Sequence, residues 1–71
     1  MQIPTEVRVF DEAAYLTDRQ MAERYRVSRG TIWAWAKLNI LPKPHHFGRA
    51  ARWRRDEIMA TEMAVARSRA I

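Results

Sequence analysis

The sequence predicts a mainly helical domain that carries one small β-hairpin. Two amphipathic patterns, each with its own N-cap, lie between positions 17 and 38 and are separated by a turn of three or four residues. A short alternating segment with a central glycine follows over residues 44–54, and helical spacing returns over residues 56–70. This order of elements is typical of a winged helix-turn-helix domain. We expect residues 1–71 to form one such domain, with 1–14 as an N-terminal extension.

The first helix is predicted to begin after Thr17. Gln20, three residues later, completes a capping box, and Leu16 before the cap can pack on the first buried turn. The apolar residues expected to form its buried face are Met21, Ala22 and Tyr25.

The second helix is predicted to begin after Ser28, because a serine hydroxyl can accept from a backbone N–H of the first turn. Its apolar face consists of Ile32, Trp35 and Ala36. The opposite face contains no acid and consists of Arg29, Gly30, Thr31, Trp33 and Lys37. Asn39 can take the left-handed conformation that ends a helix.

The basic residues are concentrated in the middle of the chain. The net charge is +5, but residues 24–55 contain nine bases and no acid, whereas the two flanking segments are net acidic. Such a block is typical of a polyanion-binding face, and a solvated basic surface is the alternative. Because the block coincides with the two-helix pattern, we favour nucleic acid as the partner.

The two-helix pattern also indicates which residues would contact DNA. The second helix of such a motif enters the major groove by its N-terminal end, and the first helix touches the backbone. Arg29, Thr31 and Trp33 are therefore the candidates for base contacts, with core packing as the alternative for Trp33. The expected recognition-helix set is Ser28, Arg29, Gly30, Thr31, Trp33 and Lys37, and the expected phosphate contacts are Gln20, Arg26 and Lys43.

The hairpin is predicted to turn at Gly48. Alternation is expected to place Phe47, Ala51 and Trp53 on one face and His46, Arg52 and Arg54 on the other. A hairpin with a basic face and Arg49 at its tip can lie along phosphates or enter a narrow minor groove. The expected DNA-binding residues of this wing are His46, Arg49, Arg52 and Arg54.

Two segments leave alternatives open. Val7, Val9 and Phe10 indicate an extended segment that either adds an edge strand or packs on the core. The last helix has an apolar stripe wider than a small core needs, consisting of Met59, Met63, Ala66 and Ala70. Those residues either pack across the first two helices or contact a partner, since methionine-rich stripes adapt to partner surfaces.

Other classes of function have little support in the sequence. No nucleophile–base pair, Gly-rich phosphate loop or metal-ligand set is evident, so we expect neither catalysis nor a cofactor. His45 and His46 are adjacent, and adjacent strand residues point to opposite faces, which argues against a shared metal. The chain has no cysteine, no apolar run long enough for a membrane span and no signal-peptide pattern, so we expect a cytoplasmic protein.

Several short motifs occur along the chain: Tyr15-Leu16-Thr17, Met21-Ala22, Val27-Ser28-Arg29-Gly30-Thr31-Ile32, Leu41-Pro42-Lys43-Pro44 and Arg52-Trp53-Arg54, followed by an Asp-Glu-Ile helix start. With these motifs, residues 15–60 resemble the AlpA-like and excisionase group of small MerR-like winged helix-turn-helix proteins from phages and mobile elements. The Pro-Lys-Pro sequence followed nine residues later by Trp53 is the most specific part of the likeness.

This resemblance implies a DNA-binding protein without catalysis. Its recognition-helix positions fall on Ser28, Arg29, Thr31 and Trp33, and its wing positions fall on His46, Arg49 and Arg52. The chain departs from the group at Arg26, where a glycine is usual, and at Thr61, where a tryptophan is frequent. An arginine held at positive φ in that turn would cost of order 1 kcal/mol.

The function expected from the resemblance is that of an excisionase, or recombination directionality factor. Such a protein binds tandem sites in double-stranded DNA near a phage attachment site, bends the DNA and directs a tyrosine integrase toward excision, with cooperative self-association on DNA. One alternative is an AlpA-like phage transcriptional regulator acting at a promoter. A second alternative is a protein-interaction module that uses the C-terminal helix.

Overall fold

The computed structural model describes residues 14–68. Within this range it contains three helices and a three-stranded antiparallel sheet of order β1-β3-β2. The elements are β1 (Tyr15–Leu16), α1 (Asp18–Tyr25), α2 (Arg29–Lys37), β2 (His45–Phe47), β3 (Ala50–Arg54) and α3 (Arg55–Ser68). The extended segment expected around Val7, Val9 and Phe10 lies outside the described residues.

Helix α1 begins with the predicted capping box. The Thr17 hydroxyl accepts from the Gln20 backbone N–H at 3.0 Å, and the Gln20 side-chain oxygen accepts from the Thr17 N–H at 2.9 Å. Two backbone donors of the first turn are therefore satisfied without any contact from elsewhere. Local sequence alone fixes where this helix starts.

The turn after α1 depends on a left-handed residue. Arg26 has φ 58°, and the following Val27 N–H reaches back to the Ala22 carbonyl at 3.0 Å. This is the Schellman arrangement, in which glycine is usual because it has no Cβ to crowd the backbone. The expected strain at Arg26 is therefore present, at a cost of order 1 kcal/mol.

Helix α2 is capped at both ends as its sequence predicts. The Ser28 hydroxyl accepts from the Thr31 N–H at 3.1 Å. Asn39 has φ 64°, and the Ile40 N–H donates to the Trp35 carbonyl at 2.8 Å, which closes a second Schellman motif. The Arg26 turn and the Ser28 cap leave three residues between the two helices, and this short connection sets α1 against α2.

The hairpin has the predicted turn but a different assignment of faces. Phe47 pairs with Ala50, so the loop contains only Gly48 and Arg49, and Gly48 has φ 65°. A positive φ at the first of two loop residues is what a type II′ turn requires.

The predicted grouping of Phe47 with Ala51 and Trp53, and of His46 with Arg52, is therefore wrong. Paired residues of an antiparallel ladder share a face, and His46 pairs with Ala51. The predicted grouping would need a three-residue loop, and the two-residue loop exchanges the faces expected for His46 and Phe47. Phe47 consequently lies on the face of Arg52, where Tyr15 meets it edge-on at 5.6 Å between ring centroids.

Strand β1 is a feature that the sequence analysis did not predict. Leu16 pairs with Trp53 and Tyr15 pairs with Arg54, while the Arg55 N–H donates to the Ala14 carbonyl at 2.7 Å. The two residues before the first cap therefore join the hairpin to α1 as well as supplying an apolar side chain.

The core lies between the sheet and the three helices. Its buried members are Leu16, Met21, Ala22, Ile32, Ala36, Leu41, Trp53 and Ile58. Trp53 is fully buried, and its indole N–H donates to the Pro42 carbonyl at 2.8 Å. This bond explains physically why the Pro-Lys-Pro segment and Trp53 occur together, since the extended segment supplies the acceptor that the buried indole needs.

Helix α3 is attached to α1 through Glu62. The Arg24 guanidinium donates to both Glu62 oxygens, at 2.6 and 2.8 Å, and the Tyr25 hydroxyl donates to the same carboxylate. The Arg24 hydrogen bonds are the main cause that lowers the pKa of Glu62 to about 2. Burial, followed by the Glu62 carboxylate, raises the pKa of Tyr25 to about 12.

Replacing Glu62 by Gln is expected to lower the free energy of unfolding by about 1 kcal/mol at pH 7, the upper end for a partly exposed ion pair. A lowered carboxyl pKa stabilises the fold above its ordinary value of 4.5, and this contribution is lost as the pH falls toward about 2. Denaturant unfolding of both proteins should show the gap closing over that interval. A gap that stays constant with pH would contradict this role.

The packing interpretation of the α3 stripe is wrong for the residues described. Met59, Met63 and Ala66 are exposed, and Ile58 is the α3 residue that is buried in the core. Ala70 lies outside the described residues. The stripe remains a solvent-facing apolar surface in this structure.

Candidate nucleic-acid interface

The outer face of α2 combines an aromatic ring with basic side chains. Trp33 is 38% exposed and meets the buried Trp53 edge-on, with 5.2 Å between ring centroids. The core-packing interpretation of Trp33 is therefore confirmed for one edge of the ring, while the rest faces solvent and its contact with a base stays a prediction. Trp35 is half-buried against the core and meets Tyr25 at 6.0 Å.

Asp18 holds two of the candidate base-contacting residues. Its Oδ2 accepts from the Trp33 indole N–H at 3.0 Å and from the Arg29 Nε–H at 3.2 Å. The bond from Trp33, followed by the Arg29 guanidinium, lowers the pKa of Asp18. These contacts were not predicted from the sequence, because Asp18 lies on α1 and its two partners lie on α2, so no single helical period relates them.

A basic groove separates α2 from the hairpin. Its cavity of about 430 Å³ is lined by Trp33, Ala36, Lys37, Lys43, Pro44 and His46. The Lys43 ammonium donates to the Ala36 carbonyl near the end of α2 at 3.2 Å, so this predicted phosphate contact is tied to the helix. His46 lines this groove because the two-residue loop turns it toward the Trp53 face.

The three hairpin arginines that were predicted to bind DNA differ in exposure and in hydrogen-bond partners. Arg49 is exposed at the tip. Arg52 is half-buried and donates to the Ala51 carbonyl at 2.9 Å. Arg54 forms a two-point ion pair with Asp56 at 3.1 and 2.8 Å. His46 pairs with Ala51, and Arg52 and Arg54 alternate with Ala51 along β3, so both arginines lie on the face opposite to His46.

The remaining predicted contacts surround the start of α2. Gln20 uses its side-chain oxygen in the capping box, which leaves its amide NH₂ for other partners. The Thr31 and Ser28 hydroxyls lie 2.9 Å apart. A Cβ at Gly30 would meet the Ser28 hydroxyl only at 3.8 Å, so internal packing does not require a glycine there. The exposed backbone at Gly30 instead permits close approach by a ligand.

The acid-free block is partly neutralised by its flanking segments. Arg24, Arg29 and Arg54 pair with Glu62, Asp18 and Asp56 respectively. Within residues 14–68, no carboxylate forms an ion pair with the exposed cations Arg26, Lys37, Lys43 and Arg49. We call these four residues the unpaired cations. Within the acid-free block they are the charges most available to a polyanion, and the exposed Arg19 and Arg67, which also form no ion pair within residues 14–68, lie outside that block.

A second groove lies on the other side of the domain and is apolar. Its cavity of about 410 Å³ is lined by Tyr25, Trp35, Ile40, Leu41, Thr61, Glu62, Val65 and Ala66. Thr61 turns its hydroxyl onto the Glu57 carbonyl at 3.0 Å. A small side chain at this position leaves the groove open.

Comparisons of the chain with protein-family models, curated proteins and solved structures gave no match. In the described part of the chain, no three His, Asp or Glu side chains gather closely enough to hold a metal ion. None of the helices between residues 14 and 68 combines the length and the apolar character that crossing a membrane requires.

Proposed function

We propose that this chain is a winged helix-turn-helix protein that binds double-stranded DNA. The observation that carries the proposal is the basic groove, where the α2 residues Trp33 and Lys37 face Lys43 and His46 across one cleft. Two lysines and a histidine around an aromatic wall suit a sugar-phosphate strand, because ammonium groups and a ring N–H can donate to phosphate oxygens while the tryptophan ring meets the sugar.

The proposed docking has two parts. The N-terminal end of α2 enters the major groove, where Arg29 and Thr31 meet base edges. The hairpin lies across the adjacent backbone and brings Arg49 to the phosphates or the minor groove. The strand between these two contacts passes through the basic groove.

The biological role that we propose is that of an excisionase. The motif likeness of residues 15–60 and the combination of two small DNA contacts support it, because so few base contacts favour cooperative binding at tandem sites. Transcriptional regulation at a promoter uses the same surface and remains the alternative. The exposed Met59 and Met63 favour a protein contact on α3, such as a tyrosine integrase or a second copy on DNA.

The test of DNA binding is a fluorescence-anisotropy titration of a labelled 20-base-pair duplex at several salt concentrations. If the four unpaired cations each neutralise about one phosphate, log K should fall against log salt with a slope of about −4. A slope near zero, or no binding at low salt, would overturn the proposal.

Excision assays with purified integrase then separate the excisionase role from promoter regulation, since only the former predicts stimulation.

A further inference from the structure

The contacts of Asp18 link the core of the domain to Arg29. Trp53 is fully buried, Trp33 rests edge-on against it, and the Trp33 indole N–H and the Arg29 Nε–H both donate to Asp18 Oδ2. The Asp18 side chain is only 22% exposed, whereas that of Arg29 is 60% exposed. Arg29, the first residue of a short helix, is thereby restrained at its Nε–H by Asp18, while the outer part of its side chain faces solvent.

The geometry leaves the recognition donors of Arg29 available. Asp18 takes the Nε–H, and within residues 14–68 the two Nη groups make no other hydrogen bond. A guanine presents two adjacent acceptors, O6 and N7, in the major groove, and two parallel N–H groups of one arginine match them. Restraining the guanidinium in the free protein removes part of the conformational entropy that its immobilisation on DNA would otherwise cost.

We propose that Asp18 is a positioning residue that presents Arg29 to a guanine and so sets base preference. This inference rests on the proposed function, because it assumes that the N-terminal end of α2 enters the major groove. Asp18 touches no base itself and acts through the orientation of Arg29.

The carboxylate has two effects of opposite sign, which makes the inference testable. Its negative charge opposes the approach of any DNA, so its removal raises affinity for every sequence. Its hydrogen bond to Arg29 favours one base, so its removal lowers the preference for that base. A merely structural role for Asp18 would change affinity for all duplexes by the same factor.

The experiment begins with selection of preferred duplexes from a randomised library by the wild-type chain. The guanine read by Arg29 is the position whose preference Arg29→Ala abolishes. At that position the wild type should favour G·C over A·T by roughly tenfold or more, the range of one two-point arginine contact. Asp18→Asn keeps the side-chain shape but weakens the charge-assisted bond to Arg29. The ratio of the affinity for the G·C duplex to that for the A·T duplex should therefore fall at least about threefold.

Two controls isolate the Asp18–Arg29 coupling. Glu23→Gln removes the same charge from the same helix, and Glu23 forms no ion pair within residues 14–68, so its ratio should equal the wild-type ratio. In an Arg29→Ala background, Asp18→Asn should leave the ratio unchanged. Trp33→Phe, which removes one donor to Asp18 but keeps an aromatic ring, should lower the ratio less than Asp18→Asn does.

The outcomes separate the two levels of the proposal. An unchanged ratio in folded Asp18→Asn, or an equal fall in Glu23→Gln, would overturn the role of Asp18 while leaving DNA binding intact. If Asp18→Asn fails to fold, Asp18→Ser, which also removes the carboxylate from Arg29, decides, and an unchanged ratio there overturns the inference. Failure of the wild type to bind any duplex at low salt would overturn both the inference and the proposed function.

Discussion

Replacement of Trp53 by Ala is expected to leave the domain largely unfolded at room temperature. Trp53 is fully buried, and removing a buried tryptophan costs about 3–5 kcal/mol. The change would also leave the Pro42 carbonyl without its donor and remove the ring that supports Trp33. A domain of this size has a total stability near the lower end of about 5–15 kcal/mol, so the cavity and the unsatisfied Pro42 carbonyl, which costs about 1–3 kcal/mol more, together remove essentially all of it. Thermal unfolding followed by circular dichroism measures the effect.

Trp33→Ala provides the matched comparison. Trp33 keeps 38% of its surface exposed, so the same truncation removes less buried area and leaves no closed cavity, and it should lower the free energy of unfolding by clearly less than Trp53→Ala does. Equal losses for the two variants would show that Trp53 is not the centre of the core.

Replacement of Lys37 by Glu is expected to weaken duplex binding by roughly 10–100-fold at moderate salt, because one phosphate contact is lost and one repulsive charge is added. Lys37 is exposed on the last turn of α2 and lines the basic groove opposite His46. The helix itself should lose only a few tenths of a kcal/mol, since a cation is replaced by an anion near its C-terminus. Anisotropy titration of the labelled duplex at fixed salt, with circular dichroism to verify folding, measures the change.

Features that depend on neighbouring residues could be predicted from the sequence. The Thr17 capping box, the Ser28 cap and the left-handed Asn39 each involve contacts within three to five residues of one another. The glycine at the hairpin turn belongs to the same group, because a positive φ at one loop position is a local requirement. The apolar stripes of α1 and α2 followed from their helical period.

Features that depend on register or distant contacts could not be predicted in this way. The length of the hairpin loop decides which face His46 occupies, and the sequence Gly48-Arg49-Ala50 is compatible with loops of two or three residues. Strand β1 has only two residues, and two residues are too few to show an alternating pattern in the sequence.

The candidate site shows the same division. The basic block and the outer face of α2 could be read from residue types and spacing. The pairing of Arg29 with Asp18 and of Arg24 with Glu62 joins residues from separate helices, and no periodic pattern brings them together. These contacts neutralise part of the basic block and leave the four unpaired cations as the charges that our proposal assigns to DNA.

The central claim is that DNA meets the basic groove and the hairpin rather than the rest of the basic surface. The most direct test compares duplex affinity of Lys37→Glu with that of Arg67→Glu, the same charge reversal on the last turn of α3. The predicted result is a loss of at least about tenfold for Lys37→Glu and a change of less than about threefold for Arg67→Glu. Equal losses for the two variants would contradict the claim, because they would show that net charge alone governs binding.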